Sequence, residues 1–494
     1  MDSIVIIVVL ALIVLAAAII LYRTYRYSRP QPGEKVDFHS GLPPLAQDPL
    51  LTAGHLSKVI QIQTVSNEDP DKNAWENFTA LHQQLAATYP RIHAALTKEV
   101  LDGYSLLYTW QGSDPSLDPV IFMAHQDVVP ADENTLSQWT HPPFSGSIAD
   151  GFIWGRGTMD IKCQLIAILE AIEALLEKGF QPGRTVMLAF SHDEEVLGFG
   201  ARKIVSHLQA KGVRVTAVMD EGTSVLDGVL PGFSGLTAPI GIAEKGYLSL
   251  KFTVNAAGGH SSTPGPETAI GILARAIDRL QSNPFPYRLK AAMPMFKALT
   301  PVASPLLKVA FANTWLLGGF IERKLAASPE TAASIHTTVA PTIFHSGVKD
   351  NVLPGLAEAV VNFRILPGET IAEVSDRVNS VINDERVSFE ALRENAWEPS
   401  PVSPVDSTAY RHMVSVTSEL FPGVTCAPTN MLGATDSRHL YALSTQVYRF
   451  TPITALPEDL DRIHGINERI SITDMAKMVE FFYRLIQRWS SAEM

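Results

Sequence analysis

Residues 4–21 form 18 consecutive hydrophobic positions without a charge, which predicts a helix of about 27 Å at ~1.5 Å per residue, close to the thickness of a bilayer core. Tyr22, Arg23, Tyr25, Arg26, Tyr27 and Arg29 follow, the aromatic and cationic mixture that favours a membrane interface. The expectation is an uncleaved single-pass anchor over residues 1–29. A cleaved signal is the alternative, against which stand the length of the run and Asp2 ahead of it. The basic flank places the following domain on the cytoplasmic side, whereas the glycosylation pattern Asn77-Phe78-Thr79 points to the other.

Residues 30–46 are rich in Pro and Gly and read as a linker. From 47 to 245 short β-rich runs alternate with helical periodicity, the pattern of a mostly parallel sheet covered by helices. Runs at 120–124, 185–191 and 215–219 lead into His125-Gln126-Asp127, His192-Asp193-Glu194-Glu195 and Asp220-Glu221-Gly222. Between the first two lies Trp154-Gly155-Arg156-Gly157-Thr158-Met159-Asp160, then a helix with Leu165, Ile168, Leu169, Ile172, Leu175 and Leu176 on one face and Gly179 at its end. Ligands of open α/β sheets bind at the carboxyl ends of the strands, so these loops are expected to converge.

Over 246–395 the pattern becomes strand (248–254), helix (268–280), two strands (338–344 and 357–364) and helix (371–382), a separate α+β unit of the split βαβ kind. Inside it, residues 284–327 are unusually apolar, which suits either helical core or a greasy surface for a long-chain substrate or a membrane. Residues 396–494 resume the α/β pattern.

Composition narrows the function classes. The 494 residues are 46% hydrophobic and 18% charged with a net charge of −12, which excludes disordered and collagen-like chains and makes nucleic acid an unexpected partner. The two cysteines, Cys163 and Cys426, exclude a disulfide scaffold and a cysteine-based zinc module.

Acidic residues at strand exits commonly cap the next helix, so each loop alone says little. Together His125, Asp160, Glu195, Asp220 and His464 supply two imidazoles and three carboxylates, the mixed N/O set that suits zinc, with manganese or cobalt fitting the same donors. Five such ligands hold two divalent ions if one carboxylate bridges. Asp127, two residues past His125, is placed to accept the other imidazole N–H and fix its tautomer. Glu194 alternates away from Glu195 and suits a general base facing the attacking water.

His125-x-Asp127, Gly155-Arg156-Gly157-x-x-Asp160, Glu194-Glu195, Asp220-Glu221-Gly222, Gly259-His260-Ser261-Ser262 and the late His464 occur in order over about residues 45–490. In these motifs the chain resembles the aminoacylase/carboxypeptidase S family of dizinc metallopeptidases. Gly112-Ser113-Asp114-Pro115-Ser116-Leu117, Asp193-Glu194-Glu195, Pro401-Val402-Ser403-Pro404 and Arg462-Ile463-His464-Gly465 most resemble its N-fatty-acyl-amino-acid synthase/hydrolase subgroup, with vacuolar carboxypeptidase S next. The resemblance implies a catalytic domain in two parts, 47–245 and 396–494, and a ferredoxin-like lid or dimerisation domain at 246–395. It implies that His125, Asp160 and Asp220 bind one zinc and Asp160, Glu195 and His464 the other, with a cis peptide after the bridging Asp160. His260 matches the oxyanion-stabilising histidine that reaches into the partner's site in dimeric members.

A substrate with a free carboxylate needs a cationic clamp, and Arg364 is the candidate because a guanidinium binds carboxylate in a bidentate way. Asn351 and the loop containing Gly433, Thr435 and Ser437 are expected to add polar contacts. The expected activity is zinc-dependent hydrolysis, and in reverse formation, of the amide bond of N-acyl amino acids. The alternatives are a carboxypeptidase acting on small peptides and, more remotely, a non-catalytic binding protein on the same fold. The family resemblance favours a secretory, vacuolar or extracytoplasmic setting, against the cytoplasmic side given by flanking charge.

Overall fold

The computed structural model describes residues 2–29, 43–46, 48–230, 232–392 and 396–494. The linker expected over 30–46 lies outside the described residues except for 43–46.

A mixed sheet of eight strands forms the larger unit, in the order Thr97–Leu101, Ser105–Trp110, Val186–Ser191, Val120–His125, Ala217–Leu226, Val447–Ala455, Thr237–Glu244, Thr425–Met431. Its central pairings are parallel, Val120–His125 lying between Val186–Ser191 and Ala217–Leu226, and the Thr97–Leu101 edge is antiparallel. The parallel strands at 120 and 186 are buried along their whole length, as expected where helices cover both faces. One cover is the helix Lys162–Glu177, packed against the terminal helix Ile472–Trp489. Gly179 leaves the first of these at φ 69°, a left-handed stop suited to glycine. Trp489 is fully buried, with its ring 5.3 Å from that of Phe122.

The second unit is a four-stranded antiparallel sheet ordered Thr338–Ser346, Leu356–Ile365, Gly246–Asn255, Val387–Ala391, with helices Ala269–Ser282 and Ile371–Ile382 against it. This is the ferredoxin-like arrangement. Leu356–Ile365 alternates buried and half-buried positions after its exposed first residue and packs one face on the helices. The last strand, Val387–Ala391, carried no run long enough to announce it in the sequence. The apolar residues near 284–327 form the short helices Met293–Leu299, Pro305–Ala312 and Thr314–Leu325 around their own core of Leu289, Phe296, Ala310, Phe311 and Ile321.

Candidate active site

Three neighbouring strands of the main sheet bring the acidic loops together. His125 ends its strand and is buried. Asp160 lies in the turn before the helix Lys162–Glu177, and the Asp160–Ile161 peptide is cis. Its carboxylate is shared: Oδ1 lies 3.2 Å from His125 Nε2, and Oδ2 lies 2.9 Å from His464 Nε2. Glu195 completes one side with Oε2 at 3.0 Å from His464 Nε2. On the other side Glu221 places Oε1 3.4 Å from His125 Nε2. The donor atoms of His125, Asp160 and Glu221, and those of Asp160, Glu195 and His464, therefore form two compact groups joined at Asp160.

Glu221 had no separate role in the sequence reading, and the reason lies in the strand. Ala217–Leu226 runs on past the residue 219 end expected for it. Its pairing jumps from Asp220 opposite Arg449 to Thr223 opposite Phe450, so Glu221 and Gly222 bulge out and the alternation of side chains is reset. Gly222 is required here, because a Cβ would lie 2.5 Å from the Arg449 carbonyl carbon. Asp220 is buried, and its Oδ2 accepts the Ser437 N–H at 3.0 Å while its Oδ1 accepts that of Glu221 at 2.9 Å.

Asp127 is fully buried, with Oδ1 3.3 Å from His125 Nδ1. The same carboxylate accepts the backbone N–H groups of Glu194 at 3.2 Å and Glu195 at 3.1 Å, and the Ser66 hydroxyl at 2.6 Å. Burial pushes its pKa up, but His125, Ser66 and the Glu195 N–H outweigh that and hold it below the ordinary value. Glu194 is buried. Desolvation, with the carboxylates of Glu221, Asp436 and Glu195, pushes its carboxyl well above the usual range against the pull of His125.

Glu468 and Ser66 carried no sequence signal. Glu468 is fully buried and accepts the N–H groups of Gly157, Met159 and Asp160 at 3.0, 2.7 and 3.1 Å, as well as the Arg156 guanidinium at 2.6 Å. It shapes the turn that presents Asp160. Arg156 also donates to the His464 carbonyl at 3.0 Å, tying the two metal-facing loops together.

The remaining expected residues lie farther out. His260 is exposed in the second unit, its Nδ1 2.7 Å from the Ser262 hydroxyl, and its short strand Gly259–His260 pairs with Val352–Leu353. Asn351 is its neighbour, accepting the Ser261 N–H at 3.2 Å. No hydrogen bond or ion pair among the described residues joins either to the metal-facing groups. Arg364 lies over the Tyr247 ring at 4.6 Å, without a carboxylate partner among the described residues. Gly433 is exposed, whereas Thr435 and Ser437 are buried. Thr435 donates to Glu244 at 2.6 Å and shares a hydrogen bond with Ser437 at 2.7 Å. Glu244 is in turn paired with the buried Arg449 at 2.5 Å.

The donor set fits divalent cations. Imidazole nitrogens and carboxylate oxygens converge, and Glu195 Oε1 is buried without a hydrogen-bond partner among the described residues. Bonds to Asp160 and Glu195 push His464 up to about 10, and burial pushes Glu221 up to about 8. Carboxylates crowded around two imidazoles in this way are the electrostatic setting that a divalent cation neutralises. Beside Glu195 opens a cavity of about 940 Å³. Trp75 and Tyr104, stacked at 4.7 Å, form one wall, and His192, Phe199 and Arg202 also line it.

Residues 121–488 match the model of peptidase family M20/M25/M40. An N-fatty-acyl-amino acid synthase/hydrolase PM20D1 of Xenopus tropicalis is 43% identical over 441 residues, covering 87% of this chain and 84% of that protein. A probable carboxypeptidase S-like 2 of Dictyostelium discoideum is 40% identical over 440 residues, covering 88% and 84%. The fold is also that of an M20 family metallo-carboxypeptidase of Sulfolobus solfataricus, at a TM-score of 0.62 and 17% identity over 90% of this chain and 99% of that one. With two His/carboxylate groups joined at Asp160 and this match over most of its length, the chain belongs to the M20/M25/M40 family of peptidases and is a metallopeptidase or amidohydrolase.

Proposed function

We propose that this enzyme is a zinc-dependent hydrolase of N-acyl amino acids, long-chain fatty-acyl amino acids foremost, and that it forms the same amide bond in reverse. The observation that carries the reading is the sharing of Asp160 between two imidazole/carboxylate groups, with the buried Glu194 beside them. The substrate class follows the name of the Xenopus relative, 43% identical.

His125, Asp160, Glu195, Asp220 and His464 would hold two zinc ions, or manganese or cobalt, with Glu221 a further donor beside His125. Such ions supply Lewis-acid polarisation of the scissile carbonyl and lower the pKa of water. Glu194 takes the proton of the attacking water and delivers it to the leaving amine nitrogen, a role its burial next to Glu195 supports. Asp127 holds the His125 ring and the backbone of Glu194 in place. Cleavage and synthesis share one transition state, so the prevailing direction follows concentrations.

Arg364 is the proposed clamp for the substrate carboxylate. Burial lowers the pKa of Lys245 to about 8, and Arg364 adds to that shift, so two cations lie near one another. Asn351 and Gly433 are proposed to add contacts, and Thr435 and Ser437 to act through Glu244 and Asp220. The ferredoxin-like unit is proposed as a lid and dimerisation surface that offers His260 to the site of a second copy, and the N-terminal helix as a membrane anchor.

A carboxypeptidase acting on small peptides is the second reading, favoured by the Dictyostelium relative at 40% identity. Rates on an oleoyl amino acid and on a blocked dipeptide, each with and without chelator, separate the two. Faster cleavage of the dipeptide overturns the first. Glu194→Gln is expected to keep the metals and lose about 10²- to 10⁴-fold in turnover, and undiminished turnover removes the proposed base.

A further inference from the structure

The apolar helices at 305–325 have a core of their own. Phe296 and Phe311 stack at 4.3 Å within it, and Ile321 and Ala310 close it. Four large apolar side chains nevertheless face outward: Leu306 is 75% exposed, Trp315 56%, Leu316 53% and Phe320 55%. Leu316 and Phe320 are four residues apart on the helix Thr314–Leu325 and share a face. Arg323 and Lys324, both exposed, end that helix, with Lys324 Nζ 5.8 Å from the Phe320 ring.

This same segment is where the folded domain touches the N-terminal helix Asp2–Ser28. Arg23 Nε donates to the Ala312 carbonyl at 2.9 Å, at the C-terminal end of Pro305–Ala312, where a cation meets the negative end of the helix dipole. The fully buried Asn313 donates to the Thr24 hydroxyl at 3.1 Å. Both contacts fall just past residue 21, where the uncharged run ends and its tyrosines and arginines begin. They hold the helices at 305–325 at the level at which an anchor leaves the hydrocarbon for the headgroups. Exposed Trp, Leu and Phe with a cationic rim are the composition of an interfacial membrane contact.

We propose that the helices at 305–325 are a second membrane-binding element, inserting Leu306, Trp315, Leu316 and Phe320 into the leaflet that the N-terminal helix enters. The domain would then sit on the bilayer at two points and keep one orientation to it, with the source of an amphiphilic substrate alongside. The inference rests on the reading of the N-terminal helix as an anchor.

Spin-label accessibility tests both separately. In the full-length protein carrying Cys426→Ala and reconstituted in phosphatidylcholine vesicles, one nitroxide is placed by Trp315→Cys, a second by Leu306→Cys, and a reference by Leu10→Cys. Hydrolytic turnover confirms that each variant is folded. The expected result is that all three labels collide readily with oxygen and several-fold less with a water-soluble nickel chelate. A Leu10 label in lipid with Trp315 and Leu306 labels open to nickel overturns the inference and leaves the anchor intact. Labels at 315 and 306 shielded from both reagents mean a protein interface, such as a second copy, and also overturn it. All three labels open to nickel overturn the anchor as well.

Discussion

The carboxylate of Asp127 accepts the backbone N–H of Glu194 at 3.2 Å. A residue placed by the sequence as a partner of His125 thus also fixes the chain that carries the proposed base and, through Glu195, a proposed metal ligand. Three donors and an imidazole satisfy one fully buried charge, the condition under which such burial is tolerated. Asp127→Asn keeps the shape but turns an amide NH₂ toward backbone donors. We expect it to lose turnover by about 10- to 100-fold, the range for losing a group that orients a metal ligand, because the His125 ring and the Glu194 backbone both lose the carboxylate that holds them. It should also lower stability by about 1.5–3 kcal/mol, the range for hydrogen bonds to charged groups. Ser66→Ala removes one donor and should cost about 1 kcal/mol with a much smaller loss in kcat. Steady-state kinetics and urea unfolding check both.

Glu468 sits beneath Asp160 in the same way. Removing its charge leaves Arg156 buried without a carboxylate, and breaking a buried pair from one side costs about 3–5 kcal/mol. Three backbone amides lose their acceptor as well. Glu468→Ala should therefore reduce both urea resistance and metal content measured by elemental analysis. Adding Arg156→Met should fail to restore the metal, because the amides of Gly157, Met159 and Asp160 stay unsatisfied. Full recovery in the double variant would mean that the ion pair alone matters.

Glu468, unlike Asp127, marks the limit of what could be read from the residue order. The side chains of His125, Asp160, Glu195 and His464, which the structure gathers into two groups of possible metal donors, could be singled out because the first three stand at a strand end, just before a helix or just past a strand, and His464 in a late turn of recognisable motif. The alternating and helical patterns likewise gave away both units of the fold. Glu221 escaped notice because its aim depends on a bulge set by pairing with Arg449, a contact 228 residues away in sequence that no local pattern encodes. Glu468 and Ser66 escaped for a related reason. Each acts by receiving or offering hydrogen bonds across distant loops, and a lone Glu or Ser carries no sign of such a partner.

Arg364 lies against Tyr247 with Lys245 near it and no carboxylate partner among the described residues. A substrate carboxylate would give the Arg364 guanidinium that partner. Arg364→Lys keeps the charge but loses the planar two-point fork, so it should raise KM about tenfold or more, one lost charged hydrogen bond, with a smaller change in kcat. Amino-acid amides, which lack the carboxylate, should be affected far less. An equal loss on both substrates would assign Arg364 to the packing of its sheet.

His260 is exposed on the short strand Gly259–His260, apart from the metal-facing groups. If it serves the site of a second copy, Glu194→Gln and His260→Ala should each be nearly inactive alone. A mixed dimer would nevertheless contain one site joining an intact Glu194 to a partner's intact His260. Random reassortment makes about half of all dimers mixed, with one active site of two, so mixing equal amounts should recover about one quarter of the parent activity. Recovery should appear only under conditions that exchange subunits, and light scattering should report a dimer throughout. If His260 acted within its own chain, every mixed dimer would carry two defective sites and no mixing protocol could raise the rate above that of the separate variants.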